Sequence, residues 1–206
     1  MKYLWINPVT DKMYDKQKLN EFIMQQGYKR VETSKDWLSV VKEKYKKAVQ
    51  DSENTVIDIR CPMAADLVKN LADTKEFVFP EIHPILIHCG CELAEREMTK
   101  DDELIITTPC KALAELGNKL ALKNTTFIPW NQFLRKFNEK PGEMIESKTP
   151  IPLGFFEELE VNAVSLTGEQ EIQEYFQSDF GKEIQLIEML YCKDGCHNGD
   201  GIKNES

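Results

Sequence analysis

Two cysteines, Cys192 and Cys196, are the residues of this chain whose type and spacing best suit chemistry. They follow an apolar run, and glycines lie between and after them, where the backbone must turn tightly. Thiolates at this spacing can bind a single metal centre or an iron–sulfur cluster. The segment is therefore typical of a metal or iron–sulfur site, and the alternative is a pair of unrelated cysteines in a loop.

Two further cysteines, Cys61 and Cys110, stand where a predicted strand ends and a predicted helix begins. Cys61 follows the apolar run 55–59, and Cys110 follows the apolar run 104–107. A single cysteine is often only a small buried apolar residue, so the shared context is what argues for a role. Together with the pair described above, they make a candidate site of four thiolates.

The elements that must position these cysteines alternate between strands and helices, which predicts an α/β fold with mostly parallel sheets. Ligands collect beyond the carboxyl ends of parallel strands, where the amino terminus of the next helix carries a partial positive charge. Thiolates and a negatively charged cluster are stabilised in such a place. The predicted strands are 3–6, 55–59, 104–107, 125–128, 161–166 and 184–191, and the predicted helices include 16–26, 37–49 and 169–176.

Other candidate ligands are a closer pair of cysteines and two histidines. Cys89 and Cys91 stand two apart and could bind metal, form a redox couple or be incidental thiols. His88 and His197 each neighbour a cysteine and could act as a ligand or a proton carrier, although a structural role is the more common one. Zinc is the rival metal, because four cysteines also make a structural zinc site.

Charge and hydropathy narrow the functional classes. The 206 residues carry a formal net charge of −9, which argues against binding to nucleic acid or to an anionic membrane. No apolar stretch reaches the length of a membrane span, and the first residues lack the core of a signal peptide. We therefore expect a cytoplasmic protein whose six cysteines serve metal binding or catalysis rather than disulfides.

Three segments carry a resemblance to a known family. The run from Glu188 to Gly201 is close to the pattern E-x-M-x-C-x-x-G-C-x-x-G-G-G. Thr108-Pro109-Cys110 matches part of M-P-C-x-x-K-x-x-E, and Cys61-Pro62 matches the end of T-S-C-C-P. In this order and spacing, the segments make the chain resemble the carboxy-terminal catalytic domain of the iron-only (FeFe) hydrogenases.

The resemblance implies a two-lobed α/β fold with a cysteine-ligated cluster between the lobes, at the carboxyl ends of the strands. It covers the chain from about Thr55 onward and predicts one domain over 1–206, in which 1–54 match less well and 202–206 form a mobile tail. In the family, the last cysteine of the third pattern also bridges to a two-iron subsite. Carried over by motif position, the ligands of one 4Fe–4S cluster are Cys61, Cys110, Cys192 and Cys196.

The departures from the family patterns bear on activity. The cysteine that carries protons in the family, just before the first ligand, is Arg60 here, and the lysine and glutamate of the second pattern are Leu113 and Leu116. Arginine stays charged, and leucine donates no hydrogen bond. The resemblance therefore implies that the 4Fe–4S cluster is kept and that dihydrogen turnover is lost or strongly reduced, with the contacts to a two-iron subsite missing. Arg60 and Lys111, next to two of the ligands, are expected to offset part of the cluster's negative charge.

The leading hypothesis is a hydrogenase-like iron–sulfur protein for electron transfer or redox sensing, with a ferredoxin-like or signalling protein as redox partner. The enzyme alternative is a minimal FeFe hydrogenase, an oxidoreductase that acts on dihydrogen through a two-iron subsite. A third alternative, from another class, is a structural or interaction module that holds zinc or no metal at the same cysteines.

Overall fold

The computed structural model describes residues 1–71, 74–96, 101–145, 151, 153–178 and 183–203. It divides the chain into two compact units, whereas the sequence predicts one domain. Unit one comprises Met1–Lys35, Leu86–Pro150 and Cys196–Ser206, and unit two comprises Asp36–Ile85 and Ile151–Gly195. The chain therefore passes from one unit to the other four times, and each unit has its own sheet.

Parallel strands and helices make up both units. The strands are β1 (Lys2–Trp5), β2 (Lys29–Arg30), β3 (Thr55–Ile57), β4 (Phe77–Val78), β5 (Glu103–Thr108), β6 (Thr125–Pro129), β7 (Ala163–Thr167) and β8 (Leu186–Leu190). The helices are α1 (Pro8–Lys12), α2 (Lys16–Gln25), α3 (Trp37–Gln50), α4 (Pro62–Leu71), α5 (Ile85–Glu95), α6 (Lys111–Lys119), α7 (Trp130–Leu134) and α8 (Glu169–Gln177). None of the helices in the described ranges is long and apolar enough to cross a membrane.

The sheet of unit one has four parallel strands in the order β2-β1-β5-β6. Its strand β5 is apolar and buried from Leu104 to Ile106, as expected for a parallel sheet covered by helices. Helices α5 and α6 approach β6 closely because Gly90 and Gly117 leave room for the ring of Phe127. A Cβ atom at Gly117 would lie 2.3 Å from that ring.

The sheet of unit two has four parallel strands in the order β4-β3-β8-β7. Two apolar clusters flank it. The first cluster contains residues of α4 and α8 packed against Ile57 of β3. The second contains residues of α3 packed against Val56, which directly precedes Ile57 in the same strand. Because successive side chains of a strand point to opposite faces, the helices cover both faces of this sheet.

The predicted fold class, α/β with mostly parallel sheets flanked by helices, is confirmed. Every strand pair among the described residues is parallel. Strand β3 ends at Ile57, earlier than the predicted end at Ile59, and the backbone N–H of Ile59 donates to the hydroxyl of Tyr45 at 2.9 Å instead of to a neighbouring strand. Helix α5 and the two-residue strands β2 and β4 were not predicted.

The segment 202–206, which the sequence predicts to be a mobile tail, begins at Ile202. Its side chain is 3% exposed, and its backbone N–H donates to the carbonyl oxygen of Gly199 at 3.0 Å. The carbonyl oxygen of Lys203 accepts a further hydrogen bond from a side chain of unit one. The rest of the predicted tail, 204–206, lies outside the described residues.

Candidate metal centre

In unit two, Cys61 and Cys192 follow the two middle strands of the sheet. Cys61 comes after β3 and Cys192 after β8, and these strands are parallel neighbours. The backbone N–H of Tyr191 donates to the sulfur of Cys61, with the nitrogen 3.5 Å from the sulfur. Because β3 and β8 are neighbours, Tyr191, which directly precedes Cys192, contacts the sulfur of Cys61.

The surroundings of Cys61 suit a metal-bound thiolate. The residue stands directly before α4, and it packs partly buried against the apolar cluster of that face. Burial raises the pKa of the Cys61 thiol, and backbone N–H groups of Tyr191 and Ala64 oppose this rise. Such N–H donors stabilise the charged sulfur and tune the potential of iron–sulfur clusters.

Cys192 opens a tight turn that is tied to the neighbouring strand β7. The hydroxyl of Thr167 donates to the carbonyl oxygen of Cys192 at 3.2 Å and accepts from the backbone N–H of Asp194 at 2.9 Å. Asp194 and Gly195 both have left-handed backbones, with φ of 63° and 116°. The glycine at this place is therefore explained by the turn, which holds Cys192 at the carboxyl end of the sheet.

In unit one, Cys110 follows β5 and occupies the N-cap position of α6. Its backbone is extended, and its thiol makes no capping hydrogen bond. The neighbouring strands β1 and β5 continue to β2 and β6 on opposite sides, so the strand order reverses between them. The crevice at such a reversal is where open α/β sheets bind ligands.

Cys196 begins a short 3₁₀ turn that lies against α1. The glycines after it then cross the end of β5. The backbone N–H of Gly201 donates to the carbonyl oxygen of Pro109 at 3.1 Å, and a Cβ atom at Gly199 would lie 2.4 Å from the same oxygen. The backbone of the segment after Cys196 contacts the backbone of Pro109 directly. This contact is possible only because residues 199 and 201 are glycines.

The four predicted ligands are therefore shared between the units. Cys61 and Cys192 belong to unit two, and Cys110 and Cys196 belong to unit one. Cys61, Cys192 and Cys110 follow the carboxyl ends of β3, β8 and β5, and Cys196 begins a 3₁₀ turn. Within the described ranges, no group of three or more histidine, cysteine, aspartate or glutamate side chains is arranged to hold a metal ion.

Cys89 and Cys91 lie in the middle of α5 rather than at a strand end. Cys89 is 5% exposed, and burial, followed by the charge of Glu92, raises its pKa to about 12. Burial and Glu95 also raise the pKa of Cys91. Residues two apart on a helix do not face each other. Cys89 and Cys91 therefore differ in position from Cys61, Cys110 and Cys192, which follow strands.

The two candidate histidines differ in their surroundings. His88 lies on α5, between the apolar residues of that helix. His197 follows Cys196, and its Nδ1 atom is buried with no hydrogen-bond partner among the described residues. A buried polar atom of this kind needs a partner, and a bound group next to Cys196 would supply one.

Arg60 lies between two carboxylates in the interior of unit two. Its guanidinium donates to Asp58 at 2.7 Å and to Glu188 at 2.9 Å, and the ring of Phe155 lies 3.7 Å from its central carbon. Arg60 is 9% exposed, and both carboxylates are at most 1% exposed. Glu188 also accepts a hydrogen bond from the hydroxyl of Ser165 at 2.7 Å. The network is therefore buried and well satisfied by hydrogen bonds.

This network changes the expected role of Arg60. Two carboxylates match its positive charge, so it brings no net positive charge to Cys61. Lys111 likewise has a carboxylate oxygen of Asp200 at 3.9 Å. The acidic residues were missed in the sequence, although a charged residue inside the apolar strand β8 is a signal of a buried ion pair.

Three of the four candidate cysteines, Cys61, Cys110 and Cys192, thus follow strands, and Cys196 begins a 3₁₀ turn. A backbone N–H donor, tight turns and close glycine contacts surround them. The resemblance to iron-only hydrogenases rests on the motifs that carry these cysteines. Comparison with protein-family models, with curated proteins and with solved structures found no match to this chain.

Proposed function

We propose that this protein is a hydrogenase-like iron–sulfur protein that binds one 4Fe–4S cluster for electron transfer or redox sensing. The observation that carries the proposal is that three of the four motif cysteines, Cys61, Cys110 and Cys192, follow the carboxyl ends of parallel strands. Negative charge is stabilised at such places. The ligands in this proposal are Cys61, Cys110, Cys192 and Cys196.

The residues around the cysteines suit the needs of a bound cluster. When bound, the cluster supplies one-electron chemistry, and hydrogen bonds to its sulfurs tune its potential. The N–H group of Tyr191 already donates to the sulfur of Cys61. The turn after Cys192 and the glycine contacts before Cys110 hold two further ligands in fixed backbone geometry. This chain therefore contributes thiolates, hydrogen-bond donors and a rigid backbone.

The proposal excludes dihydrogen turnover because the residues at the family's proton-transfer and subsite positions are unsuited to it. Burial lowers the pKa of Arg60, but Asp58 and Glu188 outweigh this and hold the pKa above its ordinary value. A guanidinium held in this way cannot pass on a proton. Leu113 is 8% exposed on the inner face of α6 and offers no hydrogen bond where the family has a lysine.

The test is metal and sulfide analysis of the full chain after reconstitution without oxygen, together with its visible and EPR spectra. We expect about four irons and four sulfides per chain and a reducible signal. Alanine variants of each of the four ligands should lose the visible absorbance of the cluster. Cys89→Ala and Cys91→Ala are the matched controls and should keep it, since neither cysteine lies at a strand end.

Three results would overturn the proposal or redirect it. Wild-type protein without iron, or with zinc alone, would favour the structural or interaction module. Variants of the four ligands that keep full iron would show that the ligand set is wrong. Iron beyond four per chain, with infrared bands of carbonyl and cyanide ligands after co-expression with maturation proteins, would favour the minimal hydrogenase.

A further inference from the structure

The carboxylate of Asp200 caps a helix that begins far away in the sequence. Its Oδ1 atom accepts a hydrogen bond from the backbone N–H of Lys111, the first residue of α6, at 2.9 Å. A side chain at the N-cap position commonly does this task, but the N-cap residue here is Cys110, whose thiol does not cap. The cap of α6 is therefore supplied from the segment after Cys196.

The segment that carries Asp200 is fixed by hydrogen bonds on its other side as well. The backbone N–H of Asn131 donates to the carbonyl oxygen of Gly201 at 2.8 Å. The side-chain amide of Asn131 donates to the carbonyl oxygens of Asp200 at 2.8 Å and Lys203 at 3.0 Å. Asn131 is 6% exposed, so these bonds form away from water. Asp200 therefore has a fixed backbone as well as a bound side chain.

Asp200 stands in place of a glycine in the motif of the resemblance. In the pattern E-x-M-x-C-x-x-G-C-x-x-G-G-G, this position is the middle of the last three glycines, whose neighbours here are Gly199 and Gly201. The two flanking glycines are kept, and both meet the backbone at Pro109. Aspartate in place of the middle glycine thus adds a carboxylate, while the two flanking glycines still allow the close backbone contact with Pro109.

We propose that Asp200 is a positioning residue for Cys110 and Cys196, and this inference rests on the proposed cluster. Its main chain belongs to the docked segment of Cys196, and its side chain holds the residue after Cys110. One residue therefore links the two ligands of unit one. Its carboxylate also lies beside the cluster ligands and offsets the charge of Lys111, whose Nζ atom is 3.9 Å away. Because net charge sets cluster potentials, the carboxylate lowers the potential of the bound cluster relative to a neutral side chain.

The experiment compares three variants of the reconstituted full chain. Asp200→Asn keeps a side-chain oxygen for the Lys111 N–H but removes the charge, and Asp200→Ala removes both. Asp15→Ala is the matched control, because Asp15 caps α2 in the same unit through the backbone N–H of Lys18 at 2.9 Å. The measurements are the rate of iron release to a chelator, the reduction potential, and thermal unfolding of the iron-free chain.

We expect Asp200→Ala and Asp15→Ala to lower the unfolding temperature of the iron-free chain alike, since each removes one cap. Only Asp200→Ala should release iron faster, by about five- to tenfold if the lost cap is felt fully at the ligands. Asp200→Asn should release iron as the wild type does, but at a higher reduction potential. This potential shift is a change that a purely structural role would not cause.

Equal iron release from Asp200→Ala and Asp15→Ala, or an unchanged potential in Asp200→Asn, would overturn the inference while leaving the proposed cluster in place. A wild-type chain that binds no iron would instead overturn the cluster, and the inference with it. Should Asp200→Ala fail to fold, the potential of Asp200→Asn still decides between these results.

Discussion

Arg60, which directly precedes Cys61, forms a buried ionic network with the carboxylates of Asp58 and Glu188. The network joins the end of β3 to β8, and Glu188 extends it to the segment before β7 through the backbone N–H of Gly154. A buried ion pair adds little net stability over apolar packing, but removal of one partner is costly. The main effect of removing Arg60 would therefore be to leave two buried carboxylates without a counter-charge.

Arg60→Met should destabilise the fold by about 3–5 kcal/mol, because Asp58 and Glu188 would remain as uncompensated buried charges. Urea unfolding at neutral pH measures this cost. Arg30→Met is the control: Arg30 also pairs with two carboxylates, those of Asp11 and Glu32, but at the surface. Its loss should cost less than about 1 kcal/mol. Similar costs for the two variants would contradict a special role for burial.

The local contexts of the cysteines could be predicted from the sequence, but their partners could not. A strand, a cysteine and a helix start lie next to one another in the sequence, so the apolar runs alone indicate them. The bond from Arg60 to Glu188 spans 128 residues, and the bond from Lys111 to Asp200 spans 89 residues. Such contacts depend on strand order and on the path of the chain, which no local pattern contains.

Phe127 determines how closely two helices approach the sheet of unit one. Its ring occupies the space that a side chain at Gly90 of α5 or Gly117 of α6 would need. Glycine within a helix costs stability compared with alanine, so these two positions are explained by packing rather than by helix formation. The distance of helices α5 and α6 from strand β6 is thus set by the ring of Phe127.

Gly117→Ala should destabilise the fold by about 1–3 kcal/mol, because the new Cβ atom overlaps the ring of Phe127. In a Phe127→Ala background, which removes the Cγ and Cδ atoms that the new Cβ would meet, the same change should be neutral or stabilising by up to about 1 kcal/mol, since alanine favours the helix. Urea unfolding of the two single variants and the double variant gives the coupling. An equal cost in both backgrounds would show that the ring does not limit this helix.

The helices and strands that were predicted have a regular spacing of apolar residues, whereas those that were missed do not. Helices α2, α3 and α8 bury one face and expose the other, and their apolar spacing indicated them in the sequence. Helix α5 is apolar on most sides around Ile87 and Gly90, so it has no clear period. Strands β2 and β4 have two residues each, too few for any alternation to be visible.

At the scale of the whole molecule, the ligands of the proposed cluster are spread along the chain from Cys61 to Cys196, so its binding should stabilise the chain against unfolding. The reconstituted protein should unfold at least about 5 °C above the iron-free protein, because metal binding is coupled to folding. Calorimetry without oxygen measures this gain. Cys61→Ala in unit two and Cys110→Ala in unit one should each abolish it. A gain that survives in one of the two variants would argue against a single shared cluster.

The interleaved path of the chain also sets an order of events during synthesis. The strands β1, β5 and β6 of unit one have all emerged before β8, the middle partner of β3, is made. The hydrogen bond from Thr55 to Ile184, which closes that pairing, spans 129 residues. Pairings of such long range form slowly. The sheet of unit one can therefore form on the ribosome before β3 has its partner β8, and the proposed cluster would have its full set of ligands only after translation has passed Cys196.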